Sequence, residues 1–253
     1  MKRIGRLLQN LLFPPKCAAC GSLLDWQSLD SHEALCRDCL RRWESEKADT
    51  CGICAARVTA CNCMTARMER AKCAGFRKLV FYRHGKHGHV QNRLIFHIKR
   101  NNDRQTSRFL ASELLPSLRA LTEGKTDVVL TWAPRSRSST LKHGTDQARA
   151  LAKELSLLCG FPCEKLIGRT FGKKPEQKAL STKARMRNAK SLYRLAPNAD
   201  VKGKNVVFVD DIVTTGATAA ACVQLLRRAG AENVFCLTVA SNDTNQTREK
   251  PTR

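Results

Sequence analysis

The sequence predicts an α/β protein with a small metal-binding module ahead of it, and three observations carry that expectation. Residues 205–231, NVVFVDDIVTTGATAAACVQLLRRAGA, read as a buried strand, a Thr/Gly-rich turn and a helix. DVVLTWAP followed by QARALAKEL repeats the strand-loop-helix order. Nine of the 13 cysteines lie before residue 74, most of them as close pairs. At 253 residues the chain has room for one medium α/β domain and something smaller. The expected division is a cysteine-rich segment over 1–74 and an α/β domain over 75–253.

The chain opens MKRIGRLLQNLLFPP, in which Ile4, Leu7, Leu8, Leu11 and Leu12 would share one side of an amphipathic helix. Gln9 and Asn10 interrupt the apolar stretch and no small-residue cleavage site follows, so it does not read as a signal peptide. No run of about 18 apolar residues occurs, which removes a transmembrane helix from the expectation and points to a cytoplasmic protein. Forty-five Lys and Arg against 22 Asp and Glu give a formal charge of +23. Such a balance attracts nucleic acid, nucleotides or anionic surfaces without choosing among them.

Two C-x-x-C knuckles follow, Cys17 with Cys20 and Cys36 with Cys39. Four thiolates at this spacing meet the needs of a tetrahedral structural Zn²⁺ site. A second set comprises Cys51 with Cys54 and Cys61 with Cys63, with Cys73 further on as an alternative to Cys61 or Cys63. Redox chemistry is the other use of C-x-x-C, but tandem pairs without a thioredoxin-like strand and helix point to metal. All-thiolate sites leave no open position for water, so the zinc here is structural. A module this small cannot build a large apolar core, and the metal would supply its folding energy.

From Gly75 the pattern changes. FRKLVFYRH alternates as a strand, and the stretch from 87 to 121 reads as helical. His84, His87 and His89 fall in a Gly/Lys-rich turn and read as a solvated loop. Lys99 follows an apolar helix stripe, where it could reach a pyrophosphate or satisfy carbonyls at the helix end. After the strand at 128–130 the turn holds Arg135, Ser136, Arg137, Ser138 and Ser139, a cationic, hydroxyl-rich sequence suited to a phosphate group. Between two further strand candidates, IGRTFGKKPEQKALSTKARMRNAKSLYRL (167–195) is polar and basic, longer than ordinary connections, and reads as a lid or a mobile loop. Isolated Cys159, Cys163, Cys222 and Cys236 read as small core residues.

In the last unit, Asp210 and Asp211 stand at the end of an apolar strand, where ligands bind in open parallel sheets. Carboxylates do not hold phosphate, but they accept hydrogen bonds from sugar hydroxyls and recruit Mg²⁺ directly or through water. Thr214, Thr215, Gly216, Ala217 and Thr218 then lead into a helix N-terminus, where unpaired N–H groups and the helix dipole favour an anion. Acid pair and loop together ask for a ribose 5-phosphate.

VVFVDDIVTTGAT resembles the signature of type I phosphoribosyltransferases. The resemblance implies that the two acids hold the ribose hydroxyls of phosphoribosyl pyrophosphate (PRPP) and that the T-T-G-A-T loop holds its 5-phosphate. LLFPPKCAAC, IFHIKR, WAP, HGTDQARALA and ALSTKARMRNAKSLYRL extend the likeness over nearly the whole chain, to the ComF-type competence proteins. These pair zinc-ribbon-like cysteines with a phosphoribosyltransferase domain. The implied fold is a twisted, mostly parallel sheet flanked by helices on both faces, preceded by a double zinc-ribbon-like domain. The implied ligands are structural zinc, PRPP and Mg²⁺, with Lys99, Arg135 and Ser136 as candidates for the pyrophosphate. One departure stands out: the family's Arg-Gly-Phe-Asn-Gln run is here His143-Gly144-Thr145-Asp146-Gln147. Three readings therefore remain open. One is a phosphoribosyltransferase in a competence setting; another is a non-enzymatic module that binds single-stranded DNA or partner proteins of the transformation machinery; the third is a nucleotide-sensing regulator, in which PRPP would change affinity for a partner.

Overall fold

The structure, a computed structural model, describes residues 14–24, 34–83, 88–100, 103–135, 146–170 and 192–242. Its centre is a four-stranded sheet ordered β1-β6-β5-β2, formed by β1 (Gly75–Tyr82), β2 (Val128–Trp132), β5 (Asn205–Val213) and β6 (Asn233–Asn242). All three pairings are parallel. A parallel sheet needs crossovers and buries both faces, which explains why these strands are nearly continuous apolar runs.

The two faces can be read from β5. Val207 and Val209 point into one apolar cluster, and Val206 and Phe208 into the other. The first cluster is closed by α3 (Val90–Arg100), α4 (Arg104–Leu121) and α5 (Gln147–Cys159). The second is closed by α6 (Ala217–Arg228), the short helix α2 (Ala66–Arg70) and an antiparallel pair, β3 (Ile167–Arg169) and β4 (Tyr193–Leu195). The helical stretch expected from 87 to 121 holds two helices, the second capped by Asp103, whose carboxylate accepts the N–H groups of Gln105 and Thr106.

The cysteine-rich segment shares a core with the sheet. Leu24, Leu35 and Trp43 lie in the same apolar cluster as Leu79, Leu94, Leu110 and Leu114. Trp43, on α1 (Arg37–Lys47), is fully buried with its ring centroid 6.2 Å from that of Phe109. Its indole donates to Glu113 Oε2 at 2.7 Å, a carboxylate that also takes the Lys47 ammonium. A carboxylate of α1 reaches the other way across the joint. Glu46 accepts the N–H groups of Val90 and Gln91, each at 2.9 Å, and caps α3 across the interface. His89 Nδ1 lies 3.1 Å from that carboxylate, so it is held rather than loose, whereas His84 and His87 lie outside the described residues. So do the N-terminal stretch through Phe13 and the loop at 171–191. Cys222 and Cys236 are core residues as read from the sequence, while Cys159 and Cys163 are half-buried. Among the described residues, no helix is long and apolar enough to cross a membrane.

Candidate functional site

Strands β2 and β5 are neighbours, but the helices that follow them lie on opposite faces, α5 on one and α6 on the other. Where the chain leaves adjacent strands toward opposite faces, a crevice opens at their C-terminal ends. Arg135 sits just past β2 at this crevice, and Asp210 and Asp211 sit near the end of β5.

The strand alternation sends the two acids different ways. Asp211 is buried, and its Oδ2 meets two cations, Lys99 Nζ at 3.4 Å and Arg135 Nη2 at 3.3 Å. Asp210 Oδ1 accepts the Asp211 N–H at 2.9 Å. Burial, followed by the charge of Asp211, pushes the Asp210 carboxyl well above the ordinary carboxylate range. The crevice therefore holds a chain of opposite charges in close contact.

The loop after β5 shows the expected geometry. Gly216 is the N-cap of α6 in a left-handed conformation, φ +69°, with no side-chain hydrogen bond to the first turn. A side-chain cap is thus missing at the end of the helix where N–H groups need an acceptor. Thr214 and Thr215 are exposed, and Ala217 and Thr218 are half-buried.

Five further residues complete the surroundings, two of which, Asp146 and Gln147, belong to the run compared with the ComF type. Asp146 caps α5 by accepting the Arg149 N–H at 3.4 Å, and also accepts the Arg135 N–H at 3.2 Å, so it ties Arg135 to the start of α5. Burial first, set against those bonds, moves its carboxyl upward. An Asp directly before a helical run is an N-cap signature and could have been found. Tyr193 of β4 turns its hydroxyl toward the Thr218 side chain, an approach between distant parts of the chain that no local pattern announces. Thr65 and Arg67 approach the loop from the cysteine-rich side. Gln147, shared with the ComF-type run, donates Nε2 to the Lys99 carbonyl at 3.2 Å and ties α5 to the end of α3. Ser136, the remaining pyrophosphate candidate, and Gly144 lie outside the described residues.

The cysteines gather into two groups away from this crevice. The sulfurs of Cys17, Cys20, Cys36 and Cys39 lie within 4.8 Å of one another, and so do those of Cys51, Cys54, Cys61 and Cys63. Cys20 and Cys36 are 3.7 Å apart, close to the roughly 3.8 Å edge of a tetrahedron with metal–sulfur bonds of about 2.3 Å. The donor set and its spacing fit a tetrahedral thiolate-bound ion in each group. Cys20 is pulled down to about 6, first by the Ser22 hydroxyl. At Cys51, burial is outweighed by the N–H groups of Cys54 and Ile53, which bring it to about 7. Each group thus offers one thiolate near neutral pH. Cys73 is elsewhere: its thiol donates to the Gly75 carbonyl at 3.2 Å, next to Cys236.

Comparison with known proteins agrees with this picture. Residues 141–253 match the model of the phosphoribosyl transferase domain family. The DNA utilization protein YhgH of Escherichia coli K12 is 40% identical over 100 residues, 38% of this chain and 42% of that protein. That of Salmonella typhi is 48% identical over 63 residues, 24% of this chain and 27% of the relative. The ribose-phosphate pyrophosphokinase of Pyrococcus furiosus is 58% identical over 38 residues, 15% of this chain and 14% of that enzyme. The chain spans less than half the length of these curated relatives. The likeness to the ComF type read in the sequence is borne out, as is a type I phosphoribosyltransferase-like sheet behind cysteine clusters compatible with a zinc ribbon.

Proposed function

We propose, from the premise that the chain carries a phosphoribosyl transferase domain, that its crevice binds PRPP together with Mg²⁺. The observation that carries this reading is the placement of Asp210 and Asp211 at the strand switch, beside an α6 N-terminus without a side-chain cap. The acids would take the ribose hydroxyls, and Mg²⁺ through them. Thr214, Thr215, Gly216, Ala217 and Thr218 would take the 5-phosphate. Lys99 and Arg135, which both pair with Asp211, would turn to the pyrophosphate, joined by Ser136 of the following loop. If turnover occurs, a nucleophile forms a bond to C1 as the C1–O bond to pyrophosphate breaks. The residues contribute by positioning the sugar and by neutralising the leaving group.

The same reading divides the chain at 74/75 and gives the two cysteine groups to structural Zn²⁺, with all eight thiols as ligands. It sets the protein in the cytoplasm, where thiols stay reduced. The name shared by the YhgH relatives supports a connection with DNA use and, with the ComF-type likeness, with DNA uptake in natural competence. That likeness also favours a second reading, in which the fold keeps its phosphate cradle but serves as a non-enzymatic module for single-stranded DNA or partner proteins of the transformation machinery.

Thermal unfolding tests the cradle. PRPP with Mg²⁺ at 100 times its dissociation constant adds about 2.7 kcal/mol of stability, and the paired change Asp210→Ala with Asp211→Ala should remove the gain. An intact protein whose melting is indifferent to PRPP and Mg²⁺ counts against the reading. Pyrophosphate release in the presence of candidate acceptors separates an enzyme from a binding module. Affinity for single-stranded DNA that does not change with salt would exclude an electrostatic mode of binding.

A further inference from the structure

The segment that leaves the second cysteine group runs directly to the loop that closes the crevice. Two residues after Cys63, Thr65 caps α2 by accepting the Met68 N–H at 3.4 Å. Met68 is fully buried in the same cluster as Ala219, Ala220 and Cys222 of α6, so α2 is packed against the helix whose N-terminus the loop forms. Two contacts then reach the loop itself. Arg67 Nη1 donates to the Thr215 carbonyl at 3.3 Å. Thr65 lies so close to Gly216 that a Cβ there would stand 2.1 Å from the Thr65 hydroxyl oxygen.

These contacts fix a peptide plane. The described residues contain no cis peptide bond, and in a trans peptide the C=O and the N–H point in opposite directions. Holding the Thr215 carbonyl toward α2 therefore aims the Gly216 N–H away from α2, on the opposite side of the loop. Thr65 closes the α2 side of Gly216 by contact, so that no side chain fits there.

We propose that Thr65 and Arg67 are positioning residues of the phosphate loop, so that the chain leaving the second cysteine group is part of the ribose 5-phosphate site. The inference rests on the reading of the crevice given above and deepens it. Arg67 acts through the Thr215 carbonyl rather than on the phosphate, and its guanidinium adds positive charge beside the loop.

The test uses the full-length, metal-loaded protein and two probes with Mg²⁺, ribose 5-phosphate and inorganic pyrophosphate, measured by calorimetry. Arg67→Ala should weaken ribose 5-phosphate about five- to tenfold and leave pyrophosphate within twofold. Arg67→Lys, which keeps a donor, should recover part of the loss. Equal losses for both probes would mean a general structural effect and would overturn the assignment, as would an Arg67→Ala protein that binds ribose 5-phosphate like the parent. A parent protein that binds neither probe would overturn the underlying reading of the crevice and this inference with it.

Discussion

Lys78 places its ammonium 3.2 Å from the sulfur of Cys61. The residue is in β1, 1% exposed, and its nitrogen also reaches the carbonyls of Cys61 at 3.3 Å and Cys63 at 3.0 Å. The rings of Phe76 and Phe81 lie 4.7 and 5.8 Å away. Among the described residues it has no carboxylate partner. A buried ammonium needs compensation, and a divalent ion held by four thiolates leaves two negative charges in excess, which is the counterpart this position supplies.

Lys78→Met should accordingly loosen the second metal and spare the first. Elemental analysis of the parent should give two metals per chain. In chelator competition the variant should release one of them at about 10- to 100-fold lower chelator strength, the usual cost of losing a partner that orients a ligand. Retention of both metals at parental affinity would remove Lys78 from the site.

The joint between the cysteine-rich segment and the sheet gives a second prediction. Glu113→Ala leaves the Trp43 indole N–H buried without its acceptor and Lys47 with only Glu44 as an ion-pair partner. The cost should be about 1 to 3 kcal/mol, read from urea unfolding with tryptophan emission as the signal. Glu113→Gln keeps an acceptor for the indole and should lose less.

Much of this arrangement could be read in the sequence, and the rest could not for identifiable reasons. Strand β5 and α6 are marked by an apolar run that ends in two carboxylates and a Thr/Gly turn, and the cysteine groups by knuckle spacing, because both signals are local. Asp146 was legible as a cap but not as the anchor of Arg135, since that bond joins two ends of a turn. Lys78 looked like an ordinary charged residue in a strand, and its burial follows from Cys61 folding back over β1. Thr65 and Arg67 touch residues about 150 positions away, and no periodicity carries such a contact.

The two cations on Asp211 lead to a third prediction. Lys99 and Arg135 share one carboxylate oxygen, so Arg135→Met or Lys99→Met should each weaken inorganic pyrophosphate by about 10- to 100-fold, the range for a hydrogen bond to a charged group. Ribose 5-phosphate affinity should change little. Calorimetry with the two ligands separates the halves of the crevice, and a loss confined to ribose 5-phosphate would reverse the assignment.

Asp210 makes stability depend on pH. Its folded-state carboxyl is raised above the unfolded value, so the folded protein holds this proton more tightly than the unfolded chain does. Stability from this group is therefore present below the ordinary carboxylate range and falls as pH rises toward the raised folded value. Asp210→Asn should flatten that fall and raise the melting temperature of the ligand-free protein above it. The same variant should lose PRPP binding, which needs the charged form. A melting temperature lowered by the substitution would show that burial is not what governs this carboxyl.

Gly216 is constrained twice, and the two constraints can be separated. Its φ of +69° is costly for any other residue, and an added Cβ would stand 2.1 Å from the Thr65 hydroxyl oxygen. The backbone term alone is about 1 to 2 kcal/mol, and the overlap must be relieved by moving Thr65, the cap of α2. Gly216→Ala should therefore cost more than about 2 kcal/mol in denaturant unfolding. In a Thr65→Ala background the oxygen is gone and the same substitution should cost less, with the backbone term and the 3.2 Å approaches to Met68 Cγ and the Cβ of residue 65 still to be met. A coupling of this kind is what a double-mutant cycle measures, and additive losses would mean that α2 and the loop do not bear on each other.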